Sequence, residues 1–429
     1  VTAEDPGAWL FARPAGGIRW GLERTASLLA GVGDPHRRFR SLHVGGTNGK
    51  GSVSALAESA LRAAGRRTGL YTSPHLVSFA ERIRVDGRPV PRDLLLACEA
   101  RLRPAIEESG ATFFEATTAI AFLCFAEAGV DAAVVEVGLG GRLDATNVLA
   151  PEAVALTNVA RDHTEYLGAT IPEIAFEKAG ILKPGVPAVT GEIDGVALDV
   201  LRRRATEVGA PLAVVDETAP VTAVALSAGG TRFTVDSARW GRREMRIPLV
   251  GRHQARNAAV ALELLGLLGD DLRPPVEAVE AGFAEARWPG RFEVVRRGGA
   301  TWVLDVAHNP AGVATLAATL DALDLPRPLV AVIGILADKE WGGMLPPLLA
   351  RADAVVLTVP PTSPDGRRWD PAAALASVEV PAGLPVRVVP GFDAALTRAA
   401  TLAPYGTVLV TGSVHTVGDA MATLGIDVG

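Results

Sequence analysis

Residues 43–52 read His-Val-Gly-Gly-Thr-Asn-Gly-Lys-Gly-Ser. They follow a short strand-like run at 39–44 and precede a helix-like run at 53–64. A strand, a glycine-rich turn carrying a lysine, then a helix is the arrangement that cradles nucleotide phosphates. Backbone N–H groups in the turn point at phosphate oxygens, and the positive end of the helix dipole and the Lys50 ammonium neutralise their charge. Gly45, Gly46, Gly49 and Gly51 let the backbone come close and take positive φ where needed. Thr47, Asn48, Gly49, Lys50, Gly51 and Ser52 are therefore the candidate nucleotide-binding residues. The competing reading is a glycine-rich turn with a solvated lysine. The general pattern wants Ser or Thr directly after the lysine, whereas here Gly51 intervenes before Ser52.

Other residues stand out against their surroundings. Glu136 sits inside the apolar run 132–137, and burying a carboxylate unpaired is costly. A metal, a cationic partner or the backbone N–H groups of the 138–141 turn would each resolve that cost. Lys178, in Ile-Ala-Phe-Glu-Lys-Ala-Gly, is expected on a helix, where a surface ion pair is the simplest role. Asp305 and His308 lie where a strand gives way to a turn that Asn309 and Pro310 can cap. The segment 411–418, Thr-Gly-Ser-Val-His-Thr-Val-Gly, follows the last strand candidate. Its glycines and hydroxyls suit an anion nest, with Ser413 as candidate ligand or simply as a helix N-cap.

These residues must be held by a large framework. A chain of 429 residues exceeds one ordinary core and predicts two or three domains. Apolar content of 48% is that of a globular protein. The longest apolar runs, such as 119–126 and 329–337, fall far short of the ~18 residues a membrane span needs. Glu4 and Asp5 precede any apolar run, so no signal peptide is expected, and the expected location is the cytoplasm. The two cysteines, Cys98 and Cys124, are expected as buried free thiols. A net charge of −6 gives no global attraction for nucleic acid.

Apolar β-rich runs alternate with helical patterns, which predicts parallel α/β layers. Strands are expected at 41–44, 132–137 and 153–159, and helices at 52–64, Arg92–Ser109 and 117–128. Region 210–248 reads as a small antiparallel excursion. Residues 287–293, with Pro289 and Gly290, read as a hinge. Five further strand candidates, at 302–306, 329–335, 354–359, 386–389 and 407–410, predict a Rossmann-like C-terminal domain. The expected division is an N-terminal ATPase-like domain at 1–290 and a C-terminal α/β domain at 291–429.

In this order, the motifs resemble the folylpolyglutamate synthase/dihydrofolate synthase family of the Mur-ligase superfamily. The resemblance rests on 45–52, Thr-Ser-Pro-His-Leu (72–76), Glu-Arg-Ile-Arg-Val-Asp-Gly (81–87) and Phe-Phe-Glu-Ala-Thr-Thr (113–118). It continues through Glu-Val-Gly-Leu-Gly-Gly-Arg-Leu-Asp-Ala-Thr-Asn (136–147), Asp-His-Thr-Glu-Tyr-Leu-Gly (162–168) and Glu-Lys-Ala-Gly-Ile-Leu-Lys (177–183). Gly-Arg-His-Gln-Ala-Arg-Asn (251–257), Pro-Gly-Arg-Phe-Glu (289–293) and Asp-Val-Ala-His-Asn-Pro (305–310) complete it. The glycine after Lys50 also fits the variant phosphate loop of amide-forming ligases rather than that of kinases or GTPases.

The resemblance implies an enzyme that uses ATP to phosphorylate a carboxylate, which the amine of L-glutamate then attacks. The implied acceptor is a reduced folate, with dihydropteroate as a second acceptor. It implies Mg²⁺ held by Ser73, Glu136 and His163, with a second site helped by a carbamylated Lys178. Read without the resemblance, His163 is a helix-cap or core histidine. The implied nucleotide contacts from farther along the chain are Asn257, Arg291 and Asp305, and Lys50, Lys178, Asp305 and His308 form the implied catalytic set. Phe113, Leu143, Asp144 and Ala145 are the implied acceptor contacts, and His308 and Ser413 the implied glutamate contacts. Loop 72–87 would bridge ATP and acceptor. Phe79 would face the pterin or the core, and Ile18 to Trp20 would close over the pterin or pack. Lys183 is expected at the surface. Domain closure about 287–296 would sequester the intermediate. A monomer binding only small molecules is expected, with neither nucleic acid nor membrane as partner. The rival reading is a muramyl-peptide-type ligase acting on a UDP-linked precursor.

Overall fold

The structure, a computed structural model, describes residues 7–12, 17 and 19–428. Glu4, Asp5 and Ile18, which carried expectations above, lie outside these residues. Two compact units form. Of the described residues, the first comprises those up to 224 with 232–247 and 254–287, and the second 225–231, 248–253 and those from 288 on.

The first unit is built on an eight-stranded sheet. Its strands are β1 (Arg40–Gly45), β2 (Thr68–Tyr71), β3 (Ile83–Val85), β4 (Arg88–Pro89), β5 (Ala132–Glu136), β6 (Ala153–Leu156), β7 (Ala188–Thr190) and β8 (Leu212–Val214), in the order β4-β3-β2-β5-β1-β6-β7-β8. Along that order every pairing from β2 to β8 is parallel, and only the β2–β3 and β3–β4 pairings are antiparallel. The three expected strands are the central ones. They are long apolar runs because both faces of a parallel sheet are covered. One face buries Phe122, Phe125, Val135 and their neighbours under the helices Arg92–Ser109 and Phe113–Glu127. Farther along the same face, Val154, Leu156, Ile174 and Leu201 are buried under helices Ile171–Ala179 and Gly195–Val208, and helix Lys50–Ala63 packs against β1, β2 and β5. Thr112 and Glu115 form a reciprocal capping box that starts Phe113–Glu127, four residues earlier than the sequence pattern predicts. Strands β2, β3, β4, β7 and β8 were not anticipated. Each has four residues or fewer, too few to show a period.

The antiparallel excursion appears as a three-stranded sheet of Val221–Ser227, Gly230–Ser237 and Gly241–Ile247 (β9–β11). The second unit carries a six-stranded sheet. Its strands β12 (Glu293–Arg297), β13 (Ala300–Asp305), β14 (Leu329–Ile333), β15 (Ala354–Leu357), β16 (Val386–Val388) and β17 (Thr407–Thr411) take the order β12-β13-β17-β14-β15-β16. All five expected strands are present and parallel. Part of the supposed hinge is instead an antiparallel edge strand, β12, paired with β13. Its residues are half exposed and end in two arginines, so they lack the apolar run that marks a strand.

Cys98 and Cys124 are buried free thiols, hydrogen-bonded to each other. Among the described residues no helix is long and apolar enough to cross a membrane.

Candidate active site

Because β2, β5, β1 and β6 are parallel neighbours, the segments that leave them emerge along one edge of the sheet. Residues 46–49 leave β1 and turn into helix Lys50–Ala63. Gly46 and Gly49 adopt φ of 135° and 86°. A Cβ on Gly46 would collide with Thr157 Oγ1, and one on Gly49 would lie 2.6 Å from Asn257 Oδ1. The loop is therefore glycine-bound for two reasons, handedness and close approach.

The segment after β6 ties this loop down. Thr47 N donates to Asn158 O at 2.8 Å and Asn48 N to Asn158 Oδ1 at 2.9 Å, while Thr157 Oγ1 donates to Asn48 O at 2.7 Å. Lys50 Nζ donates to Thr47 O at 3.0 Å, which folds its ammonium over the loop. Ser52 Oγ, at the first turn of the helix, is buried without a hydrogen-bond partner. Asn257 stands against Gly49, its Nδ2 donating to Gln254 Oε1 at 3.0 Å. Sequence reasoning gave Thr157 and Asn158 no role. The signal was a polar pair directly after a buried parallel strand, where such sheets gather ligands.

Lys178 is not a surface residue. It is 4% exposed, and its Nζ donates to Gly46 O at 2.9 Å. Burial, and then the neighbouring Lys50 charge, push its pKa down to about 7, against the opposing pull of Asp162 and Asp144. Two lysines thus converge on one loop. Lys183 also departs from expectation: it is half-buried, and its Nζ donates to Asn147 O at 2.9 Å.

Glu136 ends β5, is 5% exposed, and accepts the backbone N–H of Ser73 at 3.1 Å. In the 138–141 turn that follows, Leu139 N donates to Asp144 Oδ2 at 2.8 Å. Ser73 and Glu136 are thereby adjacent, at the ends of the neighbouring strands β2 and β5. His163 begins the short helix Thr164–Leu167 in left-handed conformation, φ 51°, with its Nε2 3.9 Å from Asp162 Oδ1. Among the described residues no group of three His, Cys, Asp or Glu side chains is placed to hold a metal by itself.

The acceptor candidates fall into two kinds. Phe113 opens helix Phe113–Glu127 beside Phe11, with ring centroids 4.9 Å apart, and the Arg82 guanidinium lies 5.3 Å from the Phe113 centroid. Arg82 is itself buried and donates to His75 Nδ1 at 2.8 Å. Phe11, Arg82 and His75 had been given no part in this cluster. Phe79 packs into the core beneath it, and Trp20 is 42% exposed. Leu143, Asp144 and Ala145 sit on the turn after β5. There the Asp144 carboxylate is turned inward, accepting Thr146 N at 3.0 Å and Thr146 Oγ1 at 2.5 Å. Burial raises its pKa, against these hydrogen bonds.

In the second unit, Asp305 ends β13 and holds the turn around it, accepting Phe292 N at 2.9 Å and Ala307 N at 2.8 Å. Burial raises its pKa, opposed by those bonds and by the nearby charges of Arg291 and His308. The Arg291 guanidinium lies 5.9 Å from the Trp288 ring centroid. His308 Nδ1 lies 2.9 Å from Val306 O. Asn309 caps helix Pro310–Asp321 through Gly312 N at 2.7 Å. The strand-end-turn reading and the clustering of Asp305, Arg291 and His308 are thus both present. Ser413 is the N-cap of helix Val414–Leu424, accepting Thr416 N at 3.0 Å.

Comparison with known proteins places this geometry. Residues 44–265 match the Mur ligase middle domain and residues 290–414 the Mur ligase, glutamate ligase domain. A Haloferax volcanii protein named probable bifunctional folylpolyglutamate synthase/dihydropteroate synthase is 40% identical over 420 residues, 95% of this chain. The chain spans about half, 48%, of that relative's length. The Bacillus subtilis dihydrofolate synthase/folylpolyglutamate synthase is 37% identical over 361 residues, 82% of this chain and 84% of that protein. Among solved structures, Mycobacterium tuberculosis folylpolyglutamate synthase complexed with ADP superposes with TM-score 0.87 at 35% identity, covering 95% of both chains. E. coli FolC in complex with DHPP and ADP superposes with TM-score 0.88 at 32% identity, covering 99% of this chain and 98% of that one. The phosphate loop with its two lysines, the domain matches and these near full-length likenesses agree: the chain belongs to the folylpolyglutamate synthase/dihydrofolate synthase family of Mur ligases.

Proposed function

We propose that this chain is an ATP-dependent ligase that joins L-glutamate to the γ-carboxylate of a reduced folate, and to dihydropteroate as well, through an acyl phosphate. The observation that carries this reading is the convergence of Lys50 and Lys178 on the 46–49 loop, on the sheet edge where Glu136 and Ser73 also end. That edge suits triphosphate on one side and an acceptor carboxylate on the other. Relatives solved with ADP, with AMPPCP and with DHPP support the substrates.

Residues 1–290 bind nucleotide and acceptor, and 291–429 bind glutamate. Thr47, Asn48, Gly49, Gly51 and Ser52 surround the phosphates, and Lys50 offsets the charge that builds on the transferring phosphoryl group. Asn257, Arg291 and Asp305 complete the nucleotide contacts. The acceptor carboxylate oxygen attacks the γ-phosphorus as ADP leaves; the glutamate amine then attacks the acyl carbon and phosphate departs. Phe113, Leu143, Asp144 and Ala145 hold the acceptor, while His308 and Ser413 orient glutamate.

Mg²⁺ fits the donor set. The Ser73 hydroxyl and the Glu136 carboxylate are hard oxygen donors on adjacent strand ends, and Ser52 Oγ has an unmet hydrogen-bonding capacity. Ser73, Glu136 and His163 would hold the ion, which neutralises phosphate charge when bound. Lys178 is the carbamylation candidate, because a pKa near 7 leaves much of its amine in the neutral form that reacts with CO₂. The reading also has the chain working as a cytoplasmic monomer on water-soluble anions.

The test is ADP release with ATP, Mg²⁺ and L-glutamate, comparing dihydropteroate, tetrahydrofolate and no acceptor, for the native chain and Lys50→Met. Acceptor-dependent turnover that the variant lacks is expected. Turnover with tetrahydrofolate alone would restrict the activity to polyglutamylation. Silence with both acceptors would overturn the folate reading in favour of a UDP-linked acceptor.

A further inference from the structure

Strand β1 carries a polar residue that the phosphate loop does not use. His43 is fully buried, and its Nε2 lies 2.8 Å from Thr146 Oγ1. Thr146 Oγ1 donates in turn to Asp144 Oδ1 at 2.5 Å. A carboxylate only accepts, so the threonine hydroxyl gives its one proton to Asp144. The hydroxyl lone pair then accepts from Nε2–H, which fixes the tautomer of the imidazole. Burial and the charge of Lys183 push the His43 pKa down to about 3, so the ring stays neutral. The donors run one way, from His43 through Thr146 to Asp144.

This chain joins two functional segments. β1 continues directly into the phosphate loop, while Asp144 and Thr146 belong to the turn at 138–147 that also carries Leu143 and Ala145. Other anchors of that turn lead elsewhere. Asn147 Nδ2 donates to Gly180 O at 3.1 Å, Lys183 Nζ donates to Asn147 O, and Arg142 N donates to Glu177 O at 2.9 Å. The register of β1 with β5 fixes His43 opposite Val135, but the turn itself leaves the sheet after Glu136. The His43 ring also leaves its Nδ1 buried and unpartnered. A leucine here would avoid that unsatisfied nitrogen altogether and would lose only the Nε2 donor.

We propose that His43 is a positioning residue for ligation: donating through Thr146 to Asp144, it sets where the acceptor-bearing turn 138–147 stands relative to the phosphate loop. The inference rests on the ligase reading above. It makes His43 neither a proton donor in the chemical step nor a contact of either substrate.

The experiment compares the full chain with His43→Leu, His43→Gln and Thr146→Val, using ATP, Mg²⁺, L-glutamate and tetrahydrofolate. ADP affinity and thermal unfolding are measured on each. His43→Leu and Thr146→Val are expected to lose about tenfold in kcat/KM for the acceptor, the order expected for one buried hydrogen bond, while ADP affinity stays within about twofold. The Gln amide can place an N–H near the position of Nε2, so His43→Gln should recover most of the loss with an unchanged pH profile. Native-like acceptor kinetics in His43→Leu would overturn the proposal. So would a folded His43→Gln as impaired as His43→Leu, or an equal loss of ADP affinity. Should His43→Leu fail to fold, Thr146→Val decides, since it keeps the shape and removes the relay. A native chain without ligation would sink the ligase reading and this inference together; native turnover with unimpaired variants removes the inference alone.

Discussion

Replacing Gly49 with alanine would put a methyl group where the Asn257 amide already lies. Two costs add. The residue stands at φ 86°, ψ −8°, and a side chain held in the left-handed region costs about 1–2 kcal/mol. The new Cβ would lie 2.6 Å from Asn257 Oδ1, so the amide must swing away and surrender its 3.0 Å bond to Gln254, worth about 1 kcal/mol. The sum is about 2–3 kcal/mol, or roughly 30- to 100-fold in an equilibrium constant. If the loop keeps its shape, the loss appears in unfolding free energy; if it relaxes when empty, it appears in ADP affinity. Urea unfolding and calorimetric ADP titration together capture both. Asn257→Ala isolates the steric part: paired with Gly49→Ala it should return about 1 kcal/mol of stability, leaving the backbone strain. Strictly additive stability losses, within about 0.3 kcal/mol, would refute the close approach of these two residues. A Gly49→Ala chain as stable and as ADP-competent as the native one would refute the loop geometry itself.

Three further outcomes are expected. Lys178 has a folded pKa near 7, below its ordinary value, so above pH 7 the unfolded chain holds a proton that the folded chain lacks. Its destabilising contribution is therefore complete below pH 7 and fades as pH rises towards 10.5. The stability gap between native chain and Lys178→Met, measured by urea unfolding in bicarbonate-free buffer, should narrow from pH 7 to pH 9; a constant gap would contradict the burial argument. Asp305→Asn should cost about 1–3 kcal/mol, because one amide oxygen cannot serve both Phe292 N and Ala307 N. An unchanged denaturation midpoint would show that the carboxylate does not hold that turn. Cys98 and Cys124 are buried against each other, so a thiol reagent should find both only after denaturation, and rapid labelling of the native chain would contradict that packing.

What the sequence made legible follows physical lines. The phosphate loop could be read because its glycines are required by backbone conformation, and backbone requirements are local. The central strands could be read because a parallel sheet covered on both faces must be uniformly apolar. Strands β3, β4 and β12, near the margins of their sheets, were hidden, since they carry Arg84, Arg88, Arg296 and Arg297, and nothing in a short run broken by arginines separates strand from loop. The assignments that changed all concern polar groups whose partners are remote in sequence. Glu136 called for a metal, a cation or the following turn as partner; the backbone N–H that meets it is that of Ser73, from a neighbouring strand end, while Leu139 N of the turn serves Asp144. Lys178, on helix Ile171–Ala179, and Lys183, beyond its end, read as surface lysines, but their ammonium groups reach Gly46 O and Asn147 O.

The Lys178 contact bears on how the loop is held before any nucleotide arrives. Lys50 and Lys178 both spend a hydrogen on carbonyls of the same four-residue turn, so the turn is braced by cations on two sides. Burial, and then the repulsion of the Lys50 charge, let Lys178 shed its proton near neutrality. The buried lysine is thus the adjustable member of the pair. An arriving anion would restore the ammonium; a carbamate would make it an anion outright. Besides the lysines, Thr157 and Asn158 hold the loop through three hydrogen bonds, and Gly46 and Gly49 permit the positive φ that its path needs. Lys178 thus carries both a tie to the loop and its adjustable charge, while the ties from Thr157 and Asn158 carry no charge at all.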